Sequence, residues 1–433
     1  MKKIKELLQS TFTKSVALIS GSTAIAQILG AVFSPIITRI YSPEEYGILT
    51  VYISILGLLA IISSLKYEWG IPIAENDEMA VNVMAVSFIV LVFFVFLVFV
   101  SFFFLGESIL TALNAIVLLN YRYLIPVGVL FSGSYAIFLQ WAYRKKDFKA
   151  ISKTKLTQSI AGNGTKVGLG LLGIGPAGLI LGQIISQGAG IGTLLKSFRE
   201  EDKHLLKGIN KDDMLCSVKR YKNFPIFSAP SQLLNTLGLQ LPAFFITSFY
   251  GSQVLGFYGL ANSVVNLPMI LIGNSVADVL YAEAASVGRE NPKRIKDLSN
   301  KLFKHLVIIG MIPLLVLLFF GPFLFSFVFG SQWFQAGVYS RILSFLVFAR
   351  FIFTPISRIF FAFERQREAL LLDLFRVILV VVSFMSAKFF DLSSYGAVAL
   401  FTIAMSSVYL ITYILSQRIL NEEIKKKEMK GEI

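Results

Sequence analysis

Cysteine occurs once, at Cys216, so the chain can form no internal disulfide and no cysteine-based metal site. Histidine occurs twice, at His204 and His305, each isolated in a charged stretch, so there is no HExxH pair and no His-rich ligand set. No GxxxxGK followed by Ser or Thr is present, which removes the P-loop route to ATP hydrolysis. Charge is scarce too. Only 15% of residues are Asp, Glu, Lys or Arg, against about 25% in soluble domains, and the 26 acids are outnumbered by 40 phenylalanines. These absences set aside a soluble enzyme, a zinc protein and a secreted disulfide scaffold. What is abundant is apolar: 55% of the 433 residues, with a mean hydropathy of +0.71. A soluble surface has no use for that much, whereas a bilayer-embedded chain requires it.

Apolar runs long enough to span a bilayer, about 20 residues each, lie at 16–37, 48–70, 81–105, 122–143, 154–173 and 178–196. A second set lies at 226–249, 256–280, 303–322, 338–361, 369–389 and 396–418. The expectation is an all-α integral membrane protein of twelve transmembrane helices. The run at 154–173, with its glycines and Lys166, and the run at 338–361, with Arg350, are the least apolar.

The net charge of +14 raises nucleic-acid binding, but the placement of the charges answers it. Lysines and arginines crowd alternate loops: before the first run, at 144–155, at 196–222, at 289–304, at 358–367 and at 418–430. The opposite loops carry only Arg39, Arg122, Arg341 and Lys388. This positive-inside bias predicts that both termini are cytoplasmic and leaves no basis for a nucleic-acid partner. The first run reads as a retained span rather than a cleavable signal. The longest polar stretch divides the chain into 1–200, a linker at 201–225, a second bundle at 226–418 and a tail at 419–433.

An internal repeat supports two six-helix bundles. Tyr41-Ser-Pro-Glu-Glu-Tyr-Gly47 follows the first run and Tyr250-Gly-Ser-Gln-Val-Leu-Gly256 the seventh, each a tyrosine with a glycine six positions on. Two halves in one orientation imply a pseudo-twofold along the membrane normal. Gly168-Leu-Gly170-Leu-Leu-Gly173 matches GxGxxG, yet it lies inside an apolar run without the strand a dinucleotide site needs. Gly164 and Gly168, like Gly178 and Gly182, read instead as small-residue helix contacts. Asn163-Gly-Thr165 fits a glycosylation sequon but falls at membrane depth.

Ionisable groups at that depth cost at least about 2.5–3.5 kcal/mol and face a cavity or a partner. Lys166, Arg350 and Arg376 are the cations concerned. Asp373, three residues before Arg376, offers it a counter-ion on the same face; Glu68 and Asp278 are the other acids within reach of such a role. Arg350 and Arg358 share a face. In the first run Ser20, Thr23, Gln27, Ser34 and Thr38 fall within about 60° of one another, a polar stripe. The seventh run shows Ser228, Ser231, Gln232 and Asn235, and the eighth Asn262 and Asn266. Interhelical hydrogen bonds or a water-filled cavity would each use such residues, and the length of the stripe favours the cavity. Pro35, Pro242, Pro268 and Pro355 interrupt these helices.

On Arg39-Ile-Tyr-Ser-Pro-Glu-Glu-Tyr-Gly47, Leu65-Lys-Tyr-Glu-Trp-Gly-Ile-Pro72, the Arg144-Lys-Lys run and Phe329-Gly-Ser-Gln-Trp-Phe-Gln-Ala-Gly337, the chain resembles the Wzx-type polysaccharide flippases of the multidrug/oligosaccharidyl-lipid/polysaccharide exporter superfamily. The resemblance implies a MATE-like pair of six-helix bundles in the bacterial cytoplasmic membrane, without cofactor, metal or covalent catalysis. It implies movement of an undecaprenyl-pyrophosphate-linked oligosaccharide from the cytoplasmic to the outer leaflet, with membrane lipid, a polysaccharide polymerase and chain-length proteins as partners. Arginine and lysine suit phosphate oxygens, so Arg350, Arg376, Lys166 and Arg358 are the candidate headgroup contacts. Gln27, Asn235, Asn262 and Asn266 are the candidate sugar contacts, and Glu68, Asp278 and Asp373 the candidates for ion coupling. The alternative is a cation-coupled drug antiporter of the same superfamily, which would need intramembrane carboxylates. A membrane glycan polymerase or ligase would need a large outer loop, and the longest here is about 106–121.

Overall fold

Long apolar runs away from water have one local solution for a single segment, because each backbone N–H and C=O must then be bonded within it. The computed structural model contains helices and no strand among its described residues. Those residues are 11–273, 276–277, 280, 284, 291–363 and 365–429, with side chains described from 18 onward except at 270, 272, 358, 361, 362 and 366. By internal contacts the chain divides into Met1–Ser248 and Phe249–Ile433.

The first unit holds α1 (Thr11–Ile40), α2 (Pro43–Ile62), α3 (Asp77–Ala112), α4 (Leu124–Arg144), α5 (Phe148–Leu171), α6 (Pro176–Glu201), the short α7 (Lys211–Arg220) and the start of α8 (Ala229–Val265). Polar caps set where these helices begin. Ser42 and Glu45 form a reciprocal capping box ahead of Pro43, with the Ser42 N–H donating to Glu45 Oε2 at 2.8 Å. Asn76, Asp147 and Asn210 cap α3, α5 and α7 more simply, each side chain accepting from one backbone N–H. Gly173 and Gly175, at φ +72° and +69°, make the turn from α5 into α6, a backbone conformation that a Cβ would strain. Beyond the turn α5 and α6 run so close that a Cβ on Gly182 would lie 2.8 Å from the Gly162 carbonyl oxygen.

The polar segment 201–225 is docked rather than free. Asn82 of α3 donates to the Gly208 carbonyl at 3.1 Å and accepts from the Asn210 N–H at 3.0 Å. Tyr221 joins a core with Tyr67, Ile71, Val83 and Trp141. Beside it Arg144 donates to Asp77 at 2.7 Å and to the Ile71 and Ala74 carbonyls, while Lys145 pairs with Asp77 at 2.6 Å and Asp202 at 2.8 Å. Burial alone would push the Lys145 ammonium down; its bonds to Asp202 and Asp77 outweigh that and hold it above the ordinary lysine value.

The second unit holds the rest of α8, α9 (Pro292–Phe329), α10 (Phe334–Phe353), the single turn α11 (Ile359–Ala362), α12 (Gln366–Phe389) and α13 (Ser394–Met429). Within α8 the backbone bends at Gly251, φ +88°. A Cβ on Gly337 would meet the Pro322 backbone, so α9 and α10 touch main chain to main chain there. The two turn tyrosines of the repeat do equivalent work in their own units. Tyr41 donates to the Lys166 carbonyl at 2.8 Å, near the end of α5, and Tyr250 donates to the Leu392 carbonyl at 2.9 Å, between α12 and α13.

Nine described helical stretches are long and apolar enough to cross a membrane. The twelve expected runs all overlap helix, but those at 154–173, 226–249 and 256–280 are outside the nine: α5 is too polar, and the other two fall on bent α8 and its continuation. Bands of exposed phenylalanine, such as Phe93, Phe96, Phe103 and Phe104 on α3 and Phe319, Phe320, Phe323 and Phe327 on α9, suit hydrocarbon rather than water.

Candidate functional site

In the first unit α1, α5 and α6 surround a polar cavity of about 330 Å³. α1 contributes Thr23, Gln27 and Gly30; α6 contributes Gln183 and Ser186. α5 contributes the most: Lys155, Gln158, Ser159, Gly162, Asn163 and Lys166. These α5 positions follow i, i+3, i+4, i+7, i+8 and i+11, the spacing that puts them on one helical face. Gly162 lets α6 approach that face, and Ser186 Oγ donates to the Gln158 carbonyl at 3.0 Å across the contact. Ser159 Oγ donates to the Ala26 carbonyl of α1 at 3.0 Å, and Asn163 Nδ2 to the Ser159 carbonyl at 2.9 Å.

The cavity lining contains two lysines and no carboxylate. Among the described residues neither Lys155 nor Lys166 has an ion-pair partner. Lys155 Nζ lies 3.4 Å from the Tyr135 hydroxyl and 5.7 Å from the centre of its ring. The cavity therefore offers cationic donors, amides and hydroxyls, a set that binds anions and sugar hydroxyls and repels cations.

In the second unit Arg350 donates to Asn266 Oδ1 at 3.2 Å, and Asn266 Nδ2 donates to the carbonyl and Oδ1 of Asn262 at 2.7 and 2.8 Å. Three expected contact residues thus form one chain of donors, all half-buried. Arg376 behaves differently: it pairs with Asp373 at 2.8 Å and lies 5.6 Å from the centre of the Tyr409 ring. The counter-ion alternative raised by their spacing is the arrangement found. Glu68 is buried in a short 3-10 turn, accepting from Ser64 Oγ at 2.6 Å and facing Lys66 at 3.6 Å. Asn235 is half-buried on α8 and absent from the cavity lining. Asp278 lies outside the described residues; Arg358 closes the turn Ile356–Arg358, its side chain likewise outside them.

Of the stripe on the first run, Thr23 and Gln27 reach the cavity, Ser20 is exposed, and Thr38 is buried with its hydroxyl on the Pro35 carbonyl. Lys155, Gln158, Asn163, Gln183 and Ser186 are site residues that the reading of single spans passed over. For Lys155, Gln158 and Asn163 the signal was present as the polar period of 155–166.

Residues 36–337 match the family model described as Polysaccharide biosynthesis protein. The chain belongs to this family. Among the family member's curated relatives, the Teichuronic acid biosynthesis protein TuaB of Bacillus subtilis is 26% identical over 37% of this chain, and the Succinoglycan biosynthesis transport protein ExoT of Rhizobium meliloti is 24% identical over 75%. The aligned regions span 33% and 63% of those two proteins. The fold is that of the exporter superfamily. An inward-facing multidrug resistance MATE family transporter of the MOP superfamily superposes with a TM-score of 0.77 at 14% identity, covering 94% of this chain and 99% of that one. The lipid II flippase MurJ, in an inward closed conformation, gives 0.73 at 14%, covering 93% and 87%. The expected membership of a polysaccharide-biosynthesis family, and the all-α membrane fold with MATE-like likeness, are borne out.

Proposed function

We propose that this protein is a flippase that carries an undecaprenyl-pyrophosphate-linked oligosaccharide from the cytoplasmic to the outer leaflet of the bacterial cytoplasmic membrane. The observation that carries the reading is the α1–α5–α6 cavity, with two lysines, five amide and hydroxyl side chains on α5 and α6, and no carboxylate. A pyrophosphate cannot enter hydrocarbon unaided, and Lys166 offers it an ammonium with no counter-ion among the described residues. Gln27, Gln158, Asn163 and Gln183 offer donors and acceptors to sugar hydroxyls, while the polyprenyl tail stays in lipid. The Arg350–Asn266–Asn262 chain supplies a second set of the same chemistry in the other unit. The names of the two curated relatives, teichuronic acid biosynthesis and succinoglycan biosynthesis transport, agree with this role. A cation-coupled drug antiporter is the weaker reading, because a cationic cargo would meet two ammonium groups and no carboxylate there.

The role is transport without covalent catalysis, with both termini on the cytoplasmic side as the loop charges predict. Among the ion-coupling candidates, Glu68 and Asp373 already serve as counter-ions to Lys66 and Arg376. Purified protein in vesicles containing a fluorescent undecaprenyl-pyrophosphoryl glycan tests the reading. The wild type should move the label across the bilayer, and Lys166→Ala should lose most of that movement at an unchanged reconstituted amount. Full translocation by Lys166→Ala, or translocation of cationic dyes in preference to the glycan, would overturn it.

A further inference from the structure

Lys155 and Lys166 stand on one face of α5, eleven residues apart, which is about 16 Å of helix rise and within about 20° in rotation. Both line the cavity, and neither has a carboxylate partner among the described residues. Between them lie only neutral groups: Gln158, Ser159, Gly162 and Asn163. A single pyrophosphate cannot serve both ends, because its two phosphorus centres share one bridging oxygen and occupy one end of that span. Lys155 is half-buried with only neutral side chains beside it on α5, and an ammonium so placed attracts an anion. Tyr135 meets Lys155 only in part, through one hydroxyl at 3.4 Å and a ring face; the remaining ammonium hydrogens have no acceptor among the described residues.

Resting on the flippase reading, we infer that the cargo is an acidic oligosaccharide: Lys166 takes the pyrophosphate and Lys155 takes a carboxylate on a sugar further along the headgroup. The amide and hydroxyl groups between them take the intervening neutral hydroxyls. Tyr135 holds the Lys155 side chain against the wall, so the ammonium is presented at a fixed height along α5. Lys155 is thus a specificity residue, selecting cargo by the charge of one sugar.

Two probes of equal length separate this role from a structural one: a polyprenyl-pyrophosphoryl disaccharide ending in glucuronic acid, and the same molecule as its methyl ester. Binding to the full-length protein is measured in uncharged detergent micelles, where no lipid phosphate can contribute. The wild type should prefer the acid by about tenfold, the size of one charge-assisted contact. Lys155→Gln should abolish the preference, so that the two probes bind alike, and Lys155→Arg should restore it. Equal binding of the two probes by the wild type would overturn the inference, as would a Lys155→Gln variant that keeps the acid preference. A preference that follows Lys166→Gln instead of Lys155→Gln would also overturn it. If the wild type binds neither probe, the flippase reading itself fails and this inference falls with it.

Discussion

At the scale of single residues, the chain's membrane cations fall into two groups according to whether an acid sits beside them. Arg376 has Asp373 at 2.8 Å, and Lys66 has Glu68 at 3.6 Å in a buried loop. Among the described residues Lys155 and Lys166 have none, and Arg350 is held by an amide. The paired cations should matter for folding. Arg376→Ala and Asp373→Ala should each lower the thermal midpoint of the purified protein. The double variant should lose less than the sum, with a coupling on the order of 1 kcal/mol; additive losses would show that the pair contributes nothing. Arg350 makes the contrasting case. Arg350→Ala and Asn266→Leu should reduce glycan translocation to a similar degree with little change in melting, since each removes a link in one donor chain. A normal transport rate in Asn266→Leu would separate Asn266 from Arg350.

At the scale of helices, close approach between glycines decides where polar faces converge. Gly162 and Gly182 bring α5 and α6 together beside Lys166, and a side chain at either position must displace backbone. Gly182→Val should cost about 1–3 kcal/mol of stability and widen or collapse the cavity, so glycan binding should fall even where the protein still reaches the membrane. A Gly164→Ala control should change neither, because its Cβ would meet open space. This approach also explains what was legible in the sequence. Helix positions were readable because hydropathy over about 20 residues is a property of each run alone. The joint use of Gln27 and Lys166 was not, since it depends on which faces of α1, α5 and α6 meet. Lys155 read as one more loop charge and Asn163 as a sequon, although their shared period with Lys166 marks one face. Asp373 and Arg376 were legible as a pair because three residues on a helix is a local distance.

At the scale of the whole molecule, the segment 201–225 is part of the first unit's core and not a slack tether. Asn82 holds it through Gly208 and Asn210, and Tyr221 packs on Gly70 and Val83. Limited trypsin digestion of the native protein should therefore spare Lys211 and Lys219. Asn82→Leu should expose them, with cleavage several-fold faster and detected by the appearance of two large fragments. Equal cleavage rates would mean that the docking contributes little to protection. On the proposed flippase role, a cavity whose lysines have no carboxylate partner among the described residues has a further consequence. Between cargoes its ammonium groups attract whatever small anions the medium supplies, so ordinary salt becomes a competitor. Raising sodium chloride from low to physiological levels, where the screening length shortens to about 8 Å, should slow glycan capture and leave the later steps untouched. The cell's ionic strength would then set how readily this carrier loads, before any gradient acts on it.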